Sequence, residues 1–145
     1  MLPVDLVERL AAEPGVVGLK DSTGDLGYFR AVLERCGGPA FTLLMGSESL
    51  MVQGYEAGGD GIVPSIGNLH PALCVALHER ATAGDLEGAM EIQQQLNALV
   101  HPVLQAGSWI GMIRWIKATL AAEGIGGGGL APLFMARPAA QGVHA

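Results

Sequence analysis

The chain has 145 residues, with 8 Lys plus Arg against 14 Asp plus Glu, a formal charge of −6 and an apolar share of 50%. That is the length of one small domain, and its six arginines and two lysines are scattered, so the basic face that binds nucleic acids or anionic membranes is absent. Mean hydropathy is +0.37. Gln, His, Pro and Asn nevertheless punctuate the longest uncharged stretches, and Asp5, Glu8 and Arg9 interrupt the apolar run that a secretory leader would need, so neither a spanning helix nor export is expected and the protein reads as cytoplasmic. Cys36 and Cys74, with no CxxC spacing, read as reduced, small core residues.

Taken in order, Pro3 and Asp5 open a short helix whose Leu6, Val7 and Leu10 keep helical spacing until Pro14-Gly15. The apolar, β-branched run Val16–Leu19 predicts a buried strand. Asp25 caps a helix built on Leu26, Phe29, Val32 and Leu33 that Gly37-Gly38-Pro39 ends after Cys36. A second strand follows at Phe41–Met45, then a helix from Ser47 to Gly58-Gly59, then a third strand at Gly61–Val63. Ser65–Leu69 reads as a loop. Pro71 starts a helix to Ala83, Asp85 caps another reaching about His101, and a last one covers about Ser108–Glu123. Strands separated by whole helices need crossover connections and hence pair in parallel, which predicts an α/β fold. Three strands cannot close a barrel, and the three helices after the last strand carry more apolar surface than so small a sheet can bury.

Lys20 is the most informative residue. It is one of only two lysines, and it stands at the carboxyl end of an apolar strand, where α/β folds concentrate their chemistry. Alternation puts Val16, Gly18 and Lys20 on one face, with Gly18 leaving room for a ligand. An amine desolvated by apolar neighbours holds its proton less firmly and can attack a ketone to form a Schiff base, a role that arginine cannot fill. The competing reading is a strand-end lysine reaching for solvent.

The segment from Val16 to Asp25, with Leu19-Lys20-Asp21-Ser22-Thr23-Gly24 at its centre, resembles the Schiff-base strand and loop of the dihydrodipicolinate synthase and N-acetylneuraminate lyase family. Leu43-Leu44-Met45-Gly46-Ser47-Glu48 is similar to the end of that family's seventh strand, and Gly58–Asn68 to its eighth strand and adjoining loop. Ala83-Gly84-Asp85-Leu86, with Ala89 and Gln93, resembles its first C-terminal helix. The resemblance implies a partial TIM (β/α)8 barrel, the last three β/α units, over residues 1–83, with a C-terminal helical extension over residues 84–145. It implies that Lys20 condenses with pyruvate or another 2-oxo acid without a cofactor or metal, that carbon-carbon bonds form or break beside the iminium, and that the second substrate is an aldehyde or sugar acid. Gly46 and the Val63 backbone match positions close to the keto acid. Ser47, Glu48 and Ser65 match positions that in some members touch the distal part of the substrate.

In that family the proton-shuttling tyrosine, its helpers and the carboxylate-binding Gly-Ser/Thr-Thr loop lie on the first five strands. The residues here match only the last three strands and the C-terminal helices, and Tyr28 and Tyr55 sit on predicted helices. The polypeptide by itself is therefore expected to be a poor enzyme, working as a C-terminal fragment or one half of a split enzyme, in a homo-oligomer or joined to an N-terminal half. The alternative is a noncatalytic remnant or assembly module of the same fold. Gly124, Gly126 and Gly129 spell GxGxxG but come after a helix instead of a strand, failing the context a dinucleotide site needs. The four histidines lack ligand spacing, so no metal is expected. Trp109, Ile110, Met112, Ile113 and Ile116 form an apolar stripe that reads as helix packing or a subunit contact.

Overall fold

The computed structural model describes residues 1–105 and 109–130. Ser108, Ala131, Pro132 and His144 lie outside them. The chain divides into two compact units, Met1–His101 and Pro102–Ala145.

In the first unit, strands β1 (Gly18–Asp21), β2 (Thr42–Met45) and β3 (Gly61–Ile62) form one sheet in the order β1-β2-β3, all parallel. Helix α1 is Val4–Ala11, α2 (Leu26–Cys36) connects β1 to β2, and α3 (Met51–Glu56) connects β2 to β3. A 3-10 turn at Glu48–Leu50 precedes α3, and another at Ser65–Asn68 comes after β3. Helices α4 (Pro71–Thr82) and α5 (Leu86–Gln105) complete the order. The parallel α/β architecture matches the expectation from the helix-separated strands.

Punctuation residues act as the sequence suggests. The Asp25 carboxylate accepts from the Tyr28 N–H at 3.1 Å and caps α2. Asp85 accepts from the Gly88 N–H at 3.0 Å and starts α5, after Gly84 has turned the chain at φ +84°. Pro71 occupies the first turn of α4. Several boundaries differ by a residue or more, and two of them bear on the site and on the division of the chain. β1 runs Gly18–Asp21 instead of Val16–Leu19, because its ladder with Thr42–Met45 extends into the polar residues, and Val17 is left 72% exposed. Helix α5 continues past His101 to Gln105 with Pro102 inside it, at the division between the units.

One face of the sheet is covered. Leu43 and Met45 point to it and pack with Val7, Phe29, Val32 and Phe41, all buried. Gly18, Lys20, Thr42 and Leu44 lie in register on the opposite face, where Lys20 and Thr42 are exposed. Arg35 of α2 pairs with Asp5 and Glu8 of α1 across the outer helices, a solvent-exposed network. Between α3 and α4, Tyr55 Oη lies 2.6 Å from His78 Nδ1.

Gln93 of α5 is 2% exposed; its Oε1 accepts from Val52 N–H at 2.7 Å, and its Nε2 donates to the Ser49 carbonyl at 3.1 Å and to Gln53 Oε1 at 3.2 Å. One amide side chain thus satisfies the start of α3, whose first N–H groups have no partner within the helix. Gln93→Leu keeps the volume and removes the bonds, leaving a buried donor without a partner. The expected cost is about 2 kcal/mol, read as a lower urea midpoint at unchanged slope.

In the second unit, α6 (Trp109–Ala122) has Met112 and Ile116 buried and Trp109 exposed. Gly124 and Gly126, both at positive φ, come after α6, so the GxGxxG letters sit behind a helix as expected from sequence. No helix among the described residues is long and apolar enough to cross a membrane.

Candidate functional site

The carboxyl ends of the three strands bring together all six residues singled out from sequence: Lys20 in β1, Gly46, Ser47 and Glu48 after β2, and Val63 and Ser65 after β3. The ladder continues one bond beyond each strand. Gly46 N–H donates to the Asp21 carbonyl at 2.7 Å, and Val63 N–H to the Met45 carbonyl at 2.8 Å. These bonds hold the three loop starts side by side.

Lys20 stands on the uncovered face, and among the described residues no carboxylate lies within ion-pair range of its ammonium group. The burial by apolar neighbours expected from sequence is therefore not supplied by these three strands. A cover over this face is needed to provide it. Gly46 lies against the lysine stem. A Cβ there would stand 2.5 Å from Lys20 Cε and 2.9 Å from the Asp21 carbonyl oxygen, and would also strike Ser22 Oγ. Gly18 has a different reason to be glycine from the one read in sequence. A Cβ there would collide with the Thr42 carbonyl oxygen, so its bareness serves the close approach of β1 and β2.

Next to Lys20, Asp21 points to the opposite face and is 3% exposed. Its carboxylate accepts from Thr23 N–H at 2.9 Å and Thr23 Oγ1 at 3.2 Å, closing the turn that leads from the lysine strand to α2. Sequence reasoning misses this role, for which Asp-x-Thr spacing is the available signal. For Glu48 it yields a substrate contact or, as the competing reading, a solvated loop residue or local cap. In the structure its Oε1 accepts from Ser65 N–H at 2.7 Å and Ile66 N–H at 3.2 Å. Ser47 Oγ is 3.2 Å from Ser49 Oγ, and Val63 is 41% exposed.

An open depression of about 460 Å³ runs along the outer edge of β1, lined by Leu19, Lys20, Asp21, Ser22, Thr23 and Tyr28 with the first two residues of the chain. It shares only Lys20 with the six and tracks a strand edge, so it is not where those residues converge. Tyr28, on α2, has its phenol pushed above the ordinary value by burial and by the nearby Asp21 charge, which keeps it protonated and unsuited to act as a base.

Beneath the loop after β3, the buried Cys74 thiol is raised above its ordinary value of 9.0, chiefly by burial and next by the Glu48 charge. Below the ordinary value the thiol is protonated in both states and contributes no pH dependence; above it the unfolded chain releases the proton first, so stability drops as pH climbs from the ordinary value through the raised one. Unfolding by urea from about pH 8 to about pH 10 is therefore expected to show a smaller loss of stability in Cys74→Ala than in wild type. Equal slopes would remove the thiol from the account.

The family model described as "Dihydrodipicolinate synthetase family" matches residues 1–136. A 4-hydroxy-tetrahydrodipicolinate synthase of Leptospira biflexa is 36% identical over 121 residues, covering 77% of this chain and 40% of the relative. Among solved structures, a dihydrodipicolinate synthase from Bacteroides thetaiotaomicron superposes with TM-score 0.79 at 27% identity, over 89% of this chain and 44% of that one. A prophage protein of the dihydrodipicolinic acid synthase family from E. coli K12, in complex with pyruvate, gives TM-score 0.77 at 25% identity, over 90% and 44%. The chain spans about two fifths of the length of the curated relatives it matches.

Proposed function

The chain belongs to the dihydrodipicolinate synthetase family, and from that premise we propose that it carries the amine of a Schiff-base lyase acting on pyruvate or a related 2-oxo acid. The observation that carries this is Lys20, set on the open face of the sheet with Gly46 bare against its stem.

In this reading the three strands are the last three units of a (β/α)8 barrel, residues 1–83 the barrel part and residues 84–145 the helical extension. The barrel's other strands, in the same polypeptide or another, cover the face that bears Lys20. That cover keeps water away from the amine. The amine adds to the ketone carbon, a proton delivered by groups on the other strands lets water leave, and an iminium forms. A carbon-carbon bond beside it then breaks or forms, its electron pair drawn toward the iminium, with no cofactor required. The Gly46 and Val63 backbones flank the keto acid, and the pyruvate in the E. coli relative supports that substrate class. Ser47 and Ser65 stand toward an aldehyde or sugar-acid second substrate. The proton transfers, worth about a hundred- to ten-thousand-fold in rate, fall to groups on the other strands. The reading places the protein in the cytoplasm.

Borohydride reduction of the native protein in the presence of pyruvate tests the proposal by intact mass. Wild type is expected to gain one reduced pyruvyl group, and Lys20→Arg, which keeps the charge but cannot form the imine, none. A wild type that gains no mass would overturn it. The uncovered face that bears Lys20 and Thr42 also favours a second reading, an assembly module without catalysis. Light scattering distinguishes the two when paired with trapping, since the module associates but forms no adduct.

A further inference from the structure

We propose that Glu48 is a positioning residue, whose carboxylate holds the loop after β3 in place against the loop after β2, and that backbone amides instead of substrate hydroxyls are what it binds. The inference deepens the Schiff-base reading and rests on it for the loop's place beside the reacting carbon.

The donors around this loop show what Glu48 does. Val63 N–H is spent on the Met45 carbonyl, the last bond of the β2–β3 ladder. Pro64 has no N–H to give. Within the 3-10 turn beyond it, Gly67 N–H reaches the Pro64 carbonyl and Leu69 N–H the Ile66 carbonyl. Ser65 and Ile66 open the turn, so their N–H groups have no partner inside it, and both are taken by Glu48 Oε1. Ile66 is fully buried, which denies its N–H easy access to water. The carboxylate oxygen therefore serves two part-buried donors that the 3-10 turn itself leaves without a partner.

Glu48 is itself held firmly. It opens the 3-10 turn Glu48–Leu50, and Gln93 bonds the Ser49 carbonyl and Val52 N–H just beyond it. The carboxylate thus links two loops whose outer residues, Gly46 with Ser47 and Val63 with Ser65, are the proposed substrate contacts. Its partners lie 17 and 18 residues away in sequence, so removing it takes away the tie between the two loops beyond the Val63–Met45 bond at their start.

The test compares Glu48→Gln, whose amide oxygen can still accept, with Glu48→Ala, which has no acceptor. Amide hydrogen exchange at Ser65 and Ile66 is expected to quicken about a hundredfold in Glu48→Ala and to stay within about tenfold of wild type in Glu48→Gln. The limiting rate of pyruvate trapping is expected to fall about tenfold in Glu48→Ala, at unchanged half-saturating pyruvate, and to return in Glu48→Gln. A carboxylate that instead binds the second substrate leaves both amides protected and pyruvate trapping normal in both variants, and that result overturns the proposal. The two ideas fail separately, because exchange reads the loop whether or not an adduct forms, while an untrapped wild type removes only the Schiff-base reading. Should Glu48→Ala not fold, Glu48→Asp, with a carboxylate drawn back by one methylene, takes its place and is expected to expose the same two amides.

Discussion

Replacing Gly46 by alanine is expected to slow trapping of pyruvate on Lys20 about a hundredfold or more while leaving a folded protein. The new methyl would stand 2.5 Å from Lys20 Cε and 2.9 Å from the Asp21 carbonyl oxygen. The first neighbour is the end of a flexible stem and gives way readily. The second is backbone, held by the bond from Gly46 N–H at 2.7 Å, so it yields only by loosening the end of the β1–β2 ladder. Both displacements move the amine. The cost in stability is the ordinary one of overpacking, about 1–3 kcal/mol, whereas a misplacement of the nucleophile by about 1 Å costs about two orders of magnitude in rate. Trapping rates and urea midpoints measured on the same preparation separate the two effects. A variant that traps at the wild-type rate would show that Lys20 does not depend on the bareness of Gly46.

Gly18→Ala is expected to be strongly damaging, because the backbone atom it meets cannot step aside. The Cβ would collide with the Thr42 carbonyl oxygen and stand 3.1 Å from the carbonyl carbon, in the neighbouring strand of the sheet. Relief requires β1 and β2 to part along the register that pairs Gly18 with Thr42 and Lys20 with Leu44. A loss of about 3 kcal/mol is a large share of the roughly 5–15 kcal/mol that typically holds a domain folded. The expected result is poor soluble yield, or a sharply lowered urea midpoint, with loss of trapping as a consequence. Wild-type stability in Gly18→Ala would mean that the strands have slack at this point.

These two glycines show how far the sequence is legible. The order of elements can be read because Pro14-Gly15, Gly37-Gly38-Pro39, Gly58-Gly59 and Gly84 mark the breaks, and Asp25 and Asp85 the starts. Those signals act within a few residues of themselves. The grouping of Lys20 with Gly46, Ser47, Glu48, Val63 and Ser65 is legible through ordered resemblance. What escapes depends on distant partners. Gln93 meets Val52 across 41 positions and Glu48 meets Ser65 across 17, and no local pattern announces such a bond. The β1 boundary shifts by two residues for a related reason. Hydrophobic runs mark where a strand is buried, whereas pairing with Thr42–Met45 decides where it ends, and that partner carries β1 into Lys20 and Asp21. The desolvation expected for Lys20 fails on these strands because an apolar run implies cover on both faces, and only one face has it.

The central claim is that Lys20, and no other amine, receives the 2-oxo acid. The chain offers its own control, since Lys117 on α6 is the only other lysine. Peptide mapping of the native protein after reduction with pyruvate and borohydride reads both at once. The reduced pyruvyl group is expected on the peptide containing Lys20 and absent from that containing Lys117. An adduct spread equally over the two lysines and the N-terminus, or found on Lys117 alone, would contradict it.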